Sequence, residues 1–245
     1  MLIFPQWQAP AAVRSAMTTR LGGVSPPPFG ALNLGYATAD VRDNVIANER
    51  RTAQALGVDA AAIRWVYQVH GSEVRRAESL PVNAPLGATE IQADAIVSRT
   101  PGLVCGIKVA DCMPVLLAAT DGSVVAAAHA GWRGLAAGVI ENALREMDVA
   151  AERVTAWLGP CIGPQAFEVG EEVRDAFLAH DRAAAAHFRA LPPLTSSDGD
   201  GDGGQPKFLC DLAAIARICS RSACGGRSEE RRVGKERWIT CRSRW

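Results

Sequence analysis

The chain has 245 residues, of which 48% are apolar and 21% charged, enough for one large domain or two small ones around a buried core. Its 26 basic and 26 acidic residues cancel, so no global electrostatic pull toward nucleic acid or an anionic membrane is expected. The seven cysteines are scattered and odd in number, which does not describe the disulfide framework of a small secreted domain.

The chain opens with Met1-Leu2-Ile3-Phe4-Pro5, which lacks the basic and long apolar regions of a secretory leader. With the cysteine pattern, this points to the cytoplasm and reduced thiols. Residues 17–40 are rich in turn formers, but Phe29, Leu32 and Leu34 give them apolar anchors, so an ordered loop is expected. Residues 41–56 read as a helix, with Val45, Asn48, Glu49 and Ala53 on a mixed face and Gly57 as its stop. Segments 63–69 and 94–98 read as short strands.

The stretch 103–130 carries the most information. Lys108, Asp111 and Asp121 interrupt it, so it does not read as a membrane span. Runs 103–109 and 113–119 precede Asp121-Gly122 and run 123–129 follows, the pattern of a β-hairpin. Gly131-Trp132-Arg133-Gly134 then leads into a helical pattern from Leu135 to Met147, and 154–158 reads as a further strand ending at Gly159-Pro160. Segment 168–189 reads as one or two helices, and 192–206 has the composition of a flexible surface loop. Residues 226–245, dense in Arg, Lys and Glu, read as a disordered or non-native tail, leaving 1–225 as the catalytic domain.

Four histidines are present, and two have distinctive settings: Gln68-Val69-His70-Gly71 and His129-Ala130-Gly131-Trp132-Arg133-Gly134. His180 and His187 lie in an Ala- and charge-rich stretch, where a solvated surface role is expected. If Asp121-Gly122 is a two-residue turn, paired positions sum to 243, so His129 faces Pro114 and Cys112 faces Gly131. Cys112 and His129 then share a face of the sheet as diagonal neighbours, roughly 7–8 Å apart at the backbone. A three-residue loop would reverse that parity. A cysteine in an apolar strand is also an ordinary small buried hydrophobe.

His70 must come from elsewhere in the fold. If it arrives, two imidazoles and a thiolate meet with no obvious fourth ligand. That is the donor count of a catalytic rather than a structural zinc site. Arg133 stands where a guanidinium could reach a phosphate, or it is a solvent-facing charge. Cys161, in the rigid Gly159–Pro164 turn, could approach the same region.

Together these stretches resemble the YfiH-like family, long called laccase-domain or polyphenol oxidase proteins and now mostly described as purine nucleoside phosphorylases. The matching pieces are Thr18-Thr19-Arg20-Leu21-Gly22-Gly23-Val24-Ser25, Leu32-Asn33-Leu34-Gly35, Gln68-Val69-His70-Gly71 and Ala93-Asp94-Ala95. They continue in family order with Val109-Ala110-Asp111-Cys112-Met113-Pro114, His129–Gly134 and Gly159–Pro164. The resemblance implies a single α+β domain with mixed β-sheets layered by helices, and metal ligands at His70, Cys112 and His129. It also implies Arg20, Asn33 and Arg133 as substrate-binding candidates. Two departures are visible: Gln165-Ala166 stands where the family usually has a further cysteine, and the match ends near Cys219.

The resemblance implies a zinc-dependent phosphorylase of adenosine, inosine, guanosine and methylthioadenosine, with adenosine deaminase activity. Its partners would be purine nucleosides and phosphate, with neither nucleic acid nor membrane. Glu73 and Asp111 are candidate proton carriers, although Asp111 alternates with Cys112 along the strand. The H-x-E signature of cytidine-type deaminases is absent, since His70 is followed by Gly71-Ser72-Glu73. Three other readings compete. One is a copper-dependent polyphenol oxidoreductase, since two His and a Cys also suit copper. Another is a metal-free Cys–His hydrolase, suited to peptidoglycan-precursor editing. The third is a zinc-stabilised binding module.

Overall fold

The computed structural model describes residues 1–81, 90–192 and 205–223 of the chain. The expected tail 226–245, and all of the expected loop 192–206 except residues 192, 205 and 206, lie outside these residues. The chain runs through strands β1 (Leu2–Ile3) and β2 (Met17–Thr18), helix α1 (Arg42–Leu56), then β3 (Ile63–Arg64), β4 (Val74–Arg76) and β5 (Ala95–Ser98). Strands β6 (Val104–Cys105), β7 (Met113–Ala119) and β8 (Val125–Ala130) lead into helices α2 (Trp132–Ala136) and α3 (Val139–Met147). There follow β9 (Val154–Leu158), β10 (Glu168–Gly170), α4 (Glu171–His180), β11 (Phe188–Ala190), β12 (Lys207–Cys210) and α5 (Leu212–Ala223).

The central sheet has the order β4-β5-β8-β7-β9, parallel at β4–β5 and antiparallel elsewhere. Its organising turn is Asp121-Gly122. Gly122 takes φ +75, a conformation that costs glycine little, and Asp121 Oδ1 accepts the Ser123 N–H at 3.0 Å. The β7–β8 register then follows as expected, with Pro114 opposite His129 and Met113 opposite Ala130.

Alternation divides the work of these strands. Met113, Val115, Leu117, Ala126, Ala128 and Ala130 turn to one face and join Leu135, Val139, Ile140, Ala143 and Met147 in the main core. The small strand residues leave room for the helices, and each buried aliphatic chain contributes about 1.5–3 kcal/mol. On the opposite face of β5, Ile96 packs with Val66, Ala77, Leu80 and Ala93 in a second cluster. His129 shares that second face.

The fold is a mixed α+β domain, as expected, with local differences. The helix expected over 135–147 is broken by Gly138, whose φ of +83 separates α2 from α3. Of the strand expected over 63–69, only Ile63–Arg64 pairs regularly, with β6. Segment 168–189 holds more than helices, because β10 and β11 flank β12 in a three-stranded antiparallel sheet. Helix α1 ends at Gly57 as read, in the left-handed conformation. The loop over 17–40 is tied to α1 by the buried Asn48, which donates to Ser25 Oγ and to the Ala31 and Asn33 carbonyls and accepts from Val24 N. No helix among the described residues is long and apolar enough to cross a membrane.

Candidate metal centre

Three separate segments meet at one end of the central sheet. Cys112 immediately precedes β7, His129 lies near the end of β8, and His70 sits in the turn before β4. Their ligand atoms all lie within 4.8 Å of one another, and no other such group occurs among the described residues. The His70 and His129 rings meet edge to face, with centroids 4.8 Å apart. Ligand atoms around a tetrahedral zinc at 2.0–2.3 Å stand roughly 3.3–3.8 Å apart, so closing on an ion needs side-chain shifts of about 1 Å. The donor set of two imidazole nitrogens and one cysteine sulfur therefore fits a zinc- or copper-sized cation.

Local sequence explains the convergence. Gly131 faces Cys112 as the register requires, and a Cβ there would lie 2.8 Å from Cys112 Sγ and 3.4 Å from His70 Cδ2. Gly134 is equally constrained, since its Cβ would lie 2.9 Å from the Gly71 carbonyl. The glycines of the His129–Gly134 motif thus let the α2 segment pass close to the His70 turn. Asn142 of α3 holds that turn from the other side, donating to the Ser72 carbonyl at 2.9 Å.

His70 reaches the site because residues 67–71 run alongside 91–94: Tyr67 N bonds the Ile91 carbonyl and Ala93 N bonds the Tyr67 carbonyl. Gln68 and Lys108 exchange bonds of 2.7 Å between the Gln68 amide and the Lys108 backbone, joining this segment to the approach to Cys112. His70 itself has φ +60, an uncommon conformation for a residue with a side chain.

Asp94 is the residue that sequence reading passed over, except as part of a matching motif. Fully buried, it lies across from His129, whose N–H bonds the Asp94 carbonyl at 2.7 Å. Its carboxylate meets His129 Nδ1 at 2.8 Å and accepts from the backbone N–H groups of Val69, His70 and Gly71 at 3.2, 2.9 and 2.7 Å. Burial alone would raise its pKa, but these bonds outweigh it and hold the carboxyl below its usual range. The available signal was a carboxylate between alanines at the start of an apolar strand, a position that needs partners.

The two imidazoles differ electrostatically. Burial opposes a charge on His129, but its hydrogen bonds to Asp94 and Cys112 prevail and lift its pKa to about 9. Burial and the neighbouring His129 push His70 below its usual value.

The other candidates lie as follows. Arg133 is exposed in the first turn of α2, its guanidinium 4.4 Å from the Trp132 ring, and close enough to depress His70. Arg20 donates to the Pro28 carbonyl, while Asn33 is occupied within its own loop, bonding Gly35, Thr38 and Asp40. Among the described residues, no hydrogen bond joins Arg20 or Asn33 to the three donors. Glu73 and Asp111 are exposed, as are His180 and, partly, His187. Cys161 comes near, since Ile162 N bonds the Asp111 carbonyl at 2.9 Å, but it is not one of the three clustered donors. Burial, with the charges of Asp211 and Cys112, pushes its thiol up to about 11.

Residues 14–226 match the family described as multi-copper polyphenol oxidoreductase laccase. The chain is 44% identical over 216 residues to the purine nucleoside phosphorylase YfiH of Escherichia coli, covering 88% of this chain and 81% of that protein. It is likewise 44% identical over 214 residues to a purine nucleoside phosphorylase of Pseudomonas aeruginosa, covering 87% and 79%. Among solved structures, a Neisseria meningitidis protein superposes with a TM-score of 0.78 at 37% identity, covering 92% of this chain and 84% of that one. YlmD from Geobacillus stearothermophilus superposes with a TM-score of 0.72 at 28% identity, covering 91% and 84%.

Proposed function

The chain belongs to the multi-copper polyphenol oxidoreductase laccase family, and from that premise we propose that it is a metal-dependent purine nucleoside phosphorylase working at His70, Cys112 and His129. The observation that carries this reading is the convergence of those three donors, from distant parts of the sequence, within 4.8 Å of one another. Relatives bearing the phosphorylase name support the substrate class. The catalytic unit in this reading is residues 1–225, acting in the cytoplasm.

A zinc ion held by His70, Cys112 and His129 would supply Lewis-acid polarisation. The chain's residues do the rest. Arg133, exposed beside His70, binds phosphate through its guanidinium. Arg20 and Asn33 act from the loop that α1 anchors, Asn33 chiefly by shaping it. In the reaction a phosphate oxygen bonds the sugar C1′ while the glycosidic bond breaks and its electron pair leaves with the purine. The proton of the hydrogen phosphate ends on the base, giving free purine and ribose 1-phosphate, or 5-methylthioribose 1-phosphate from methylthioadenosine. Adenosine, inosine, guanosine and methylthioadenosine are the proposed substrates, with adenosine deamination at the same centre, in which the oxygen of water bonds the purine carbon bearing the amine and ammonia leaves.

The test is product analysis with each nucleoside plus phosphate, alongside metal content, for the unmodified protein and His129→Ala. Phosphate-dependent base release that disappears in the variant supports the reading, whereas full turnover by the variant overturns it. The contact between Cys112 and His129 favours one second reading, a metal-free hydrolase with Cys112 as nucleophile and His129 as base. Stoichiometric metal bound through Cys112 excludes that alternative, and the identity of the ion separates zinc from copper chemistry.

A further inference from the structure

We propose that Asp94 is the positioning residue that assembles this centre: one buried carboxylate fixes the tautomer of the His129 ring and the turn that delivers His70. The inference rests on the metal reading above and assigns the work of building the site to a residue outside the three clustered donors.

The argument is one of donors and acceptors. An ionised carboxylate only accepts hydrogen bonds. Its 2.8 Å contact with His129 Nδ1 therefore keeps a ring proton on Nδ1, so that Nε2 is the nitrogen that gives up its proton and offers a lone pair when a metal binds. The same Oδ1 accepts the His70 N–H at 2.9 Å, and Oδ2 accepts those of Gly71 at 2.7 Å and Val69 at 3.2 Å. Those three bonds hold the left-handed backbone of His70, which a non-glycine residue keeps only when its surroundings impose it. The Asp94 carbonyl also accepts the His129 N–H at 2.7 Å, so one residue grips the main chain of both imidazoles and the ring of one. A residue serving only the 69–71 turn would have no need to address His129 Nδ1.

Asp94→Asn is the sharp variant, because the amide turns an NH₂ donor toward either the His129 ring or the row of backbone N–H groups. The probes are zinc, titrated against a chromophoric chelator, and cobalt(II), whose visible absorption reports coordination. Zinc affinity is expected to fall about 10–100-fold with an altered cobalt spectrum, while far-UV circular dichroism stays native. Unchanged zinc affinity and cobalt spectrum in a folded Asp94→Asn protein would overturn the proposal.

A second measurement needs no variant. With ring-¹⁵N-labelled histidine in the zinc-loaded unmodified chain, His129 is expected to carry its proton on Nδ1, with Nε2 shifted by the metal. A proton on Nε2 overturns the assignment. Failure of the unmodified chain to bind zinc would overturn the metal reading and the positioning role with it. Zinc binding with the expected tautomer but no phosphorolysis would leave the role of Asp94 supported and overturn only the proposed activity.

Discussion

Gly131 stands across the sheet from Cys112, and the side chain it lacks is what admits the sulfur. A Cβ at that position would lie 2.8 Å from Cys112 Sγ and 3.4 Å from His70 Cδ2. Gly131→Ala is therefore expected to push apart two of the three donors and to destabilise the protein by about 1–3 kcal/mol through overpacking. Zinc titration and thermal denaturation check both effects. A variant that binds zinc like the parent would show that this space is not needed.

Metal removal should silence the site without unfolding the chain. The donors lie at the rim of the sheet, whereas Met113, Val115, Ile140 and Met147 pack on the other face in a core that contains none of them. Stripping with a chelator is expected to abolish turnover while far-UV circular dichroism is retained. The melting temperature should shift only by the binding linkage, about 2.7 kcal/mol for zinc at a hundred times its dissociation constant. Collapse of the fold on chelation would instead mark a structural metal module.

In the metal-stripped chain, stability should depend on pH through His129. Its pKa stands near 9, because hydrogen bonds to Asp94 and Cys112 outweigh the opposing effect of burial. An unfolded histidine titrates at about 6.5, so the protonated ring's contribution, on the order of 3 kcal/mol, is complete below that value. It is lost as pH rises through about 9. Urea unfolding of the stripped protein and of His129→Gln, from about pH 6 to about pH 9.5, should show their difference shrinking with pH. A difference that is constant or grows would refute this.

Away from the three clustered donors, Lys108 and Glu49 form an ion pair at 2.6 Å in which the carboxylate side chain is 1% exposed. Tyr36 donates to the same carboxylate at 2.9 Å, and the Tyr36 and Trp65 rings flank the ammonium at 4.4 and 4.7 Å. Lys108→Met should cost about 3–5 kcal/mol, because it strands a buried negative charge. Adding Glu49→Leu should recover most of that loss. Equal destabilisation of the single and double variants, read from denaturant midpoints, would place the cost in packing rather than in charge.

Half of the candidate metal centre was legible from sequence and half was not. Asp121-Gly122 defined a turn, the turn defined a register, and the register put Cys112 beside His129 and opposite Gly131. That chain of inference is local, spanning one hairpin. His70 arrives through the pairing of residues 67–71 with 91–94, which no turn residue announces. Asp94 shared that fate, because its importance lies in four hydrogen bonds made to residues distant in the chain. The same cause explains the small sheet read as helices: β10 and β11 are strands only because β12 lies between them. At Gly138 the helical pattern continued through a residue whose left-handed backbone breaks it. Periodicity records which face is apolar and does not see such a break.

The two-residue reversal at Asp121-Gly122 has a reach beyond its own position. Odd and even residues of β8 serve different masters, with Ala128 and Ala130 in the main core and His129 turned to the face of the donor cluster. Inserting or deleting one residue in that reversal, roughly 20 Å of strand away, would exchange the two sets, sending an imidazole into hydrocarbon and an alanine to the face of the donor cluster. The chemistry of this protein is thus phased by a tight bend at the far end of its hairpin.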